Sequence, residues 1–113
     1  MKCSIITFDD INAACYHVAL MIRSFRDSET ERVFLRERSR RLPPDVQRIA
    51  QRKLAIIDAA DLLSDLQVPP GNRLEKLSGS REGQYSIRIN DQWRVCFRWS
   101  DGDAYNVEVT DYH

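Results

Sequence analysis

The two-residue periodicity of residues 84–111 constrains this chain more than any other feature. Tyr85, Ile87 and Ile89 alternate with Ser86, Arg88 and Asn90. Trp93, Val95, Phe97 and Trp99 alternate with Arg94, Cys96 and Arg98, and Tyr105, Val107 and Val109 alternate with Asn106, Glu108 and Thr110. This is the signature of antiparallel strands with one packed face and one open face. Register decides which face each side chain takes. Holding the apolar sets together pairs Ile87 with Val95, Ile89 near Trp93, Val95 with Val109 and Phe97 with Val107. The same register sets Arg88 beside Arg94 and Arg94 beside Thr110, with Tyr112 next along that face. It requires an odd loop or a bulge around Asp101-Gly102-Asp103. Neighbouring arginines on a sheet repel unless an anion relieves them. No acid falls between Arg88 and Arg94, although Glu108 is within reach of Arg98. Two readings follow: arginines splayed into water, or a seat for phosphate, which the planar guanidinium fork suits.

Upstream of the strands the period changes. Asp27 or Ser28 is placed to cap a helix over Glu29–Glu37, with acids in its first turn. Pro43-Pro44-Asp45 opens a second helix, expected to run to about Leu66. It carries Val46, Ile49, Ala50, Leu54, Ile57 and Leu62 as one apolar stripe, with Arg48, Arg52 and Lys53 on the solvated side. Val68-Pro69-Pro70-Gly71-Asn72 turns the chain, and Arg73–Leu77 alternates as a further strand. Met21 to Phe25 is a candidate short edge strand. Helices followed by strands imply an α+β domain, two helices packed on one face of a small antiparallel sheet.

A chain of 113 residues makes one domain with one core. Its formal net charge of zero argues against a protein that coats nucleic acid through bulk charge. The charge is unevenly distributed, however. Six basic residues and three acidic ones lie between Gly71 and Trp99, and a second basic run spans Arg36 to Arg41. By default that run is a solvated connection between the helices. Cys3, Cys15 and Cys96 form no CxxC pair and no zinc-ligand spacing. Three reduced thiols, no signal-peptide pattern and no long apolar run point to a cytoplasmic protein with no metal and no cofactor. His17 has no second ligand or base near it in sequence and is read as incidental.

From Met21 onward the chain resembles the RelE/ParE superfamily of bacterial toxins, in particular the HigB-like toxins. The likeness is most specific in PPGNRLEKLSGSREGQYSIRIN, DQWRVCFRW and the terminal DYH. It divides the chain into an N-terminal extension, residues 1–20, and a RelE/HigB-like domain, residues 21–113. The resemblance implies a type II toxin that cuts ribosome-bound mRNA without a metal and is neutralised by a HigA-type helix-turn-helix antitoxin. Operator DNA would then be contacted only through the antitoxin.

Carried onto this sequence, the resemblance places the family's arginine at Arg94 and its terminal acid, tyrosine and histidine at Asp111, Tyr112 and His113. Arg81 falls in the glycine-rich loop, and Arg88 and Lys76 join it as phosphate contacts. Where many relatives carry histidine and lysine, this chain has Glu75 and Ser78. Arg94 is assigned to the phosphate, because stabilising the developing oxyanion is often the largest catalytic term. His113, with an ordinary pKa of ~6.5, is the general base or acid. Tyr112 stacks on a base or shares the proton work, Asp111 orients the terminus, and Glu75 is a base in place of the missing histidine. Two alternatives stand beside the nuclease: a ParE-like gyrase poison, and a non-enzymatic decayed toxin that retains antitoxin binding.

Overall fold

The computed structural model describes residues 22–111. The segment 1–20, Met21 and the terminal Tyr112 and His113 lie outside the described residues. Two α-helices, α1 (Ser28–Phe34) and α2 (Pro44–Ala59), precede four strands: β1 (Glu75–Lys76), β2 (Gln84–Arg88), β3 (Trp93–Ser100) and β4 (Asp103–Asp111). The strands form one antiparallel sheet in the order β1-β2-β3-β4.

The expected register holds through the centre of the sheet. Ile87 pairs with Val95, Arg88 with Arg94, Val95 with Val109 and Arg94 with Thr110. The offset is absorbed elsewhere than at Asp101-Gly102-Asp103. There, Ser100 pairs directly with Asp103 across Asp101 and Gly102, whose φ values of 52° and 82° give a tight type I′ turn. The bulge comes later. Cys96 pairs with Glu108 but Arg98 with Tyr105, so Asn106 and Val107 together oppose Phe97, and Asn106 takes a φ of 53°. This shift turns Ala104 inward and Tyr105 outward. Ala104, Val107 and Val109 are buried in the core, whereas Tyr105 pairs with Arg98 on the open face.

The outer edge of β4 is occupied. Ile22 and Phe25 form parallel bridges to Ala104 and Val107, and the Arg23 amide donates to the Ala104 carbonyl at 2.7 Å. Pairing here removes a free edge that would otherwise template association.

The first helix is shorter than expected. Asp27 caps it, its Oδ1 accepting from the Thr30 amide at 2.7 Å, and the helix ends at Phe34 as Arg36 turns left-handed. Buried Thr30 accepts from the Val109 amide at 2.9 Å and so ties α1 to β4. The second helix ends at Ala59 rather than near Leu66. Beyond it the Asp65 carboxylate accepts from the amides of Asp61 and Leu62 at 3.0 Å, offering those groups a local partner in place of helical carbonyls. The apolar stripe therefore stops at Ile57, and Leu62 is 63% exposed. Lys53 is not simply solvated: its ammonium donates to Oδ1 of fully buried Asn72. The Asn72 amide in turn donates to the carbonyls of Leu66 and Val68, closing the loop that leads to β1. The strand expected over Arg73–Leu77 shortens to Glu75–Lys76, because Arg73 is left-handed at φ 47°.

Val33 of α1 and Val46, Ala50, Leu54 and Ile57 of α2 share one buried cluster with Ile87, Val95, Phe97, Val107 and Val109 of the sheet. Trp93 and Trp99 pack at its margin, partly buried.

Burial alone would raise the Asp27 carboxyl. Hydrogen bonds from Thr30 and from the Arg41 guanidinium outweigh that and hold it below its ordinary 3.8. A carboxyl depressed by folding stabilises the fold above its unfolded pKa, and that contribution is lost as pH falls through the folded value. Asp27→Ala is expected to cost about 1 kcal/mol at pH 7. The cost should shrink as pH drops below about 3.8, with urea melts at pH 7 and pH 3 giving the comparison.

Candidate functional site

The open face of the sheet is arranged in cross-strand rows. One row runs Arg88, Arg94 and Thr110; the next runs Glu75, Ser86, Cys96 and Glu108; the third runs Gln84, Arg98 and Tyr105. Side chains in a row stand on neighbouring strands about 4.8 Å apart, and successive rows lie about 6.7 Å apart along each strand.

Arg94 is the most constrained member of this face. Its Nε donates to Ser86 Oγ at 2.7 Å, its Nη2 donates to the Arg73 carbonyl at 2.7 Å, and Glu75 Oε1 lies 3.7 Å from the same Nη2. The left-handed turn at Arg73 aims that carbonyl across β1, and the side chain of Arg94 is left only 11% exposed. Glu75 itself is half exposed. A guanidinium fixed along one edge, with a carboxylate beside it, is preorganised for an oxyanion brought to its remaining N–H groups.

The like-charge repulsion expected between Arg88 and Arg94 is relieved by the protein itself. Arg88 Nη2 binds the carboxylate of Asp91 in the β2–β3 turn, and Arg94 has the three acceptors just described. Glu108 does not serve Arg98. It binds Arg81 at 2.8 Å and Arg26 at 3.8 Å, while Arg81 also donates to Gln84 Oε1 at 3.0 Å. Arg81 thus fastens the turn Gly79–Arg81 over the middle row of the sheet. Beneath it lies Cys96, fully buried. Burial pushes its thiol up to about 11, opposed by Arg81 and Arg94 and reinforced by Glu108.

The face therefore brings together Arg94, Glu75, Arg81 and Arg88. It does not gather Lys76, which pairs with Tyr85 and so takes the opposite side of the sheet. Asp111 pairs with Trp93, and its Oδ2 accepts from Gln92 Nε2 at 2.9 Å. Tyr112 and His113 lie outside the described residues.

One residue on this face, Tyr105, was not expected there from sequence, and Arg98, expected there, has a different neighbour from the one its spacing suggested. Tyr105 lies there only because of the bulge, and strict alternation had assigned it to the core. Arg98 is exposed on the same row, and its Nη1 sits 2.6 Å from where a Cβ on residue 83 would be. Gly83, at φ 91°, leaves that path open. The glycine before β2 was the available signal.

Known proteins share this arrangement of elements. The family described as RelE-like toxins of the HigB type II toxin–antitoxin system matches residues 23–113. Toxin HigB-1 of Vibrio cholerae is 44% identical over 88 residues, covering 77% of this chain and 93% of that protein. Endoribonuclease HigB of Proteus vulgaris is 36% identical over 94 residues, covering 82% of this chain and all of the relative. Among solved structures, the YoeB–YefM complex from Staphylococcus aureus has a chain that superposes with a TM-score of 0.54 at 21% identity, over 85% of this chain and 99% of that one. The last likeness concerns the fold alone. The chain belongs to the HigB-like toxin family of the RelE-like toxins.

The Arg81–Glu108 pair sits largely out of water and is held by further hydrogen bonds, so its members should be coupled. A cycle of Arg81→Met, Glu108→Gln and the double variant is expected to give a coupling of about 1 kcal/mol in chemical denaturation. Independent effects would show that the turn is not fastened by this pair. The Cys96 thiol should stay unmodified by iodoacetamide at pH 8 in the folded protein and react on unfolding, read by mass spectrometry of its peptide.

Proposed function

We propose that this toxin is a metal-independent endoribonuclease that cuts ribosome-bound mRNA and thereby stops translation. The observation that carries this reading is the immobilised Arg94 with Glu75 3.7 Å away on an open sheet face. Cutting RNA without a metal requires removal of the 2′-hydroxyl proton, stabilisation of the pentacovalent phosphate and protonation of the 5′-oxygen. Arg94 supplies the second requirement. Its donors are already oriented, so little reorganisation is needed as charge develops. Glu75 is placed to accept the 2′-hydroxyl proton, 3.7 Å from Arg94. His113 delivers the proton to the leaving oxygen, with Tyr112 stacking on a base and Asp111 orienting the terminus.

Arg88 draws the flanking backbone toward the site. Arg81 acts mainly by holding its turn, because its guanidinium already serves Glu108 and Gln84. Lys76 meets RNA only where the strand wraps past the β1 edge. We place the domain boundary at Met21, with the two helices backing the sheet on its apolar side. The setting is the cytoplasm, and a HigA-type antitoxin is the neutralising partner. No helix among the described residues is long and apolar enough to cross a membrane. The name of the Proteus vulgaris relative, an endoribonuclease, supports the activity.

Induction of the chain without an antitoxin tests the reading. Growth should arrest, and transcript 5′ ends should accumulate at positions linked to the ribosome. Arg94→Ala and His113→Ala should each lower the cleavage rate by about 100-fold or more. Glu75→Gln should lower it comparably. Growth arrest with an SOS response and no new 5′ ends would instead identify a gyrase poison. Antitoxin binding without any arrest would identify a decayed toxin.

A further inference from the structure

A second arginine-rich surface lies away from the sheet, where the connection between α1 and α2 folds over the start of α2. Between Arg32 and Lys53 the chain carries eight basic residues against two acidic ones. The basic run is neither extended nor loose. Ser39 is buried between exposed Arg38 and Arg40, and both of its backbone groups are taken by one side chain. Gln47 Oε1 accepts from the Ser39 amide at 3.0 Å, and Gln47 Nε2 donates to the Ser39 carbonyl at 2.8 Å and to the Leu42 carbonyl at 2.6 Å. Ser39 Oγ donates to Glu29 at 2.6 Å, and Arg41 is tied to Asp27 at 2.8 Å. This connection is pinned at its centre and at one end, so Arg38 and Arg40 project from a rigid frame.

They line a cleft of about 630 Å³ together with Arg32, Leu42, Pro44 and Gln47. Arg32 is answered by Glu29 and Glu37, whereas Arg38 and Arg40 have no carboxylate partner among the described residues. We propose that this cleft binds an acidic peptide segment of a partner protein, its carboxylates on Arg38 and Arg40 and an apolar side chain on the exposed Pro44. Charge complementarity alone would also admit RNA. Single-stranded RNA is held by aromatic stacking platforms alongside basic grooves, and no aromatic side chain among the described residues lines this cleft. A concave pocket with an apolar floor suits a peptide side chain, and a frame ordered before binding lowers the entropic cost. The inference does not depend on the sheet face cutting RNA, since the cleft shares no residue with it.

The test is fluorescence anisotropy with the full chain at low salt and two probes. One is a labelled peptide of alternating glutamate and leucine, the other a labelled oligouridine of equal charge. The peptide should bind, and the Arg38→Gln/Arg40→Gln double variant should weaken it about tenfold or more. Arg98→Gln, on the sheet face, should leave peptide binding unchanged. Gln47→Leu keeps every charge but unpins the connection, and should weaken the peptide about threefold or more. Circular dichroism confirms that each variant is folded, and Arg38→Gln alone serves if the double variant is not. Absence of peptide binding, or peptide binding indifferent to Arg38 and Arg40, overturns the proposal. So does an oligouridine whose binding, rather than the peptide's, is lost with those two arginines.

Discussion

Every assignment of a side chain to a face depends on the pairing of β3, the one strand bonded along both edges to long partners. Its odd positions, Trp93 to Trp99, meet the helices' apolar residues, and its even positions, Arg94 to Arg98, form the axis of the open face. A slip of one residue would exchange the two sets, placing two arginines in the core. Burial of Val95 and Phe97 against Leu54 and Ile57 makes such a slip costly. The hydrophobic core thus fixes the open face indirectly, by forbidding the alternative register. The placement of Arg94 rests on packing on the far side of its own strand.

A sheet carrying several arginines on one face must also answer their charge. The structure does this with local acceptors. Ser86, the Arg73 carbonyl and Glu75 hold Arg94; Asp91 holds Arg88; Glu108 and Gln84 hold Arg81. These contacts have two consequences. They remove like-charge repulsion that would loosen β2 against β3, and they set the direction in which each guanidinium points. Arg94 keeps free N–H groups in a fixed orientation, which a solvated arginine would not. What weakens the case for a bare phosphate seat strengthens the case for a preorganised one.

The sheet was legible in the sequence because alternation over three long strands leaves one register compatible with burial. The limits of that legibility are equally physical. Asn106 carries no hydrophobic signal, so nothing in the alternation reported a bulge there, and Tyr105 and Ala104 exchanged faces as a result. Gly102 drew attention to the turn, which proved regular. The end of α2 was misplaced because Leu62 continued the apolar period, whereas Asp65 offered its carboxylate to backbone amides at closer range. At the site, the residue types were legible and the partners were not. Glu108 is equally spaced in the pattern from Arg94 and Arg98, yet it binds an arginine contributed by a loop. Loop conformation, set here by Gly79 and Gly83 in left-handed geometry, leaves no periodic trace.

The two arginine surfaces differ in a way that bears on what each can do. On the sheet face, Arg81, Arg88 and Arg94 each lie against a carboxylate, so the field is short-ranged and recognition depends on placement. At the α1–α2 connection the acids Asp27 and Glu29 neutralise one arginine each and pin the frame, leaving Arg38 and Arg40 without a carboxylate among the described residues. The chain is neutral overall, so attraction at this corner comes from segregation of charge within it. A local field of that kind extends about 8–10 Å at ordinary ionic strength and is lost beyond it. Such a field acts over the length of a short acidic segment seated in the cleft and does little to steer a large polyanion from solution.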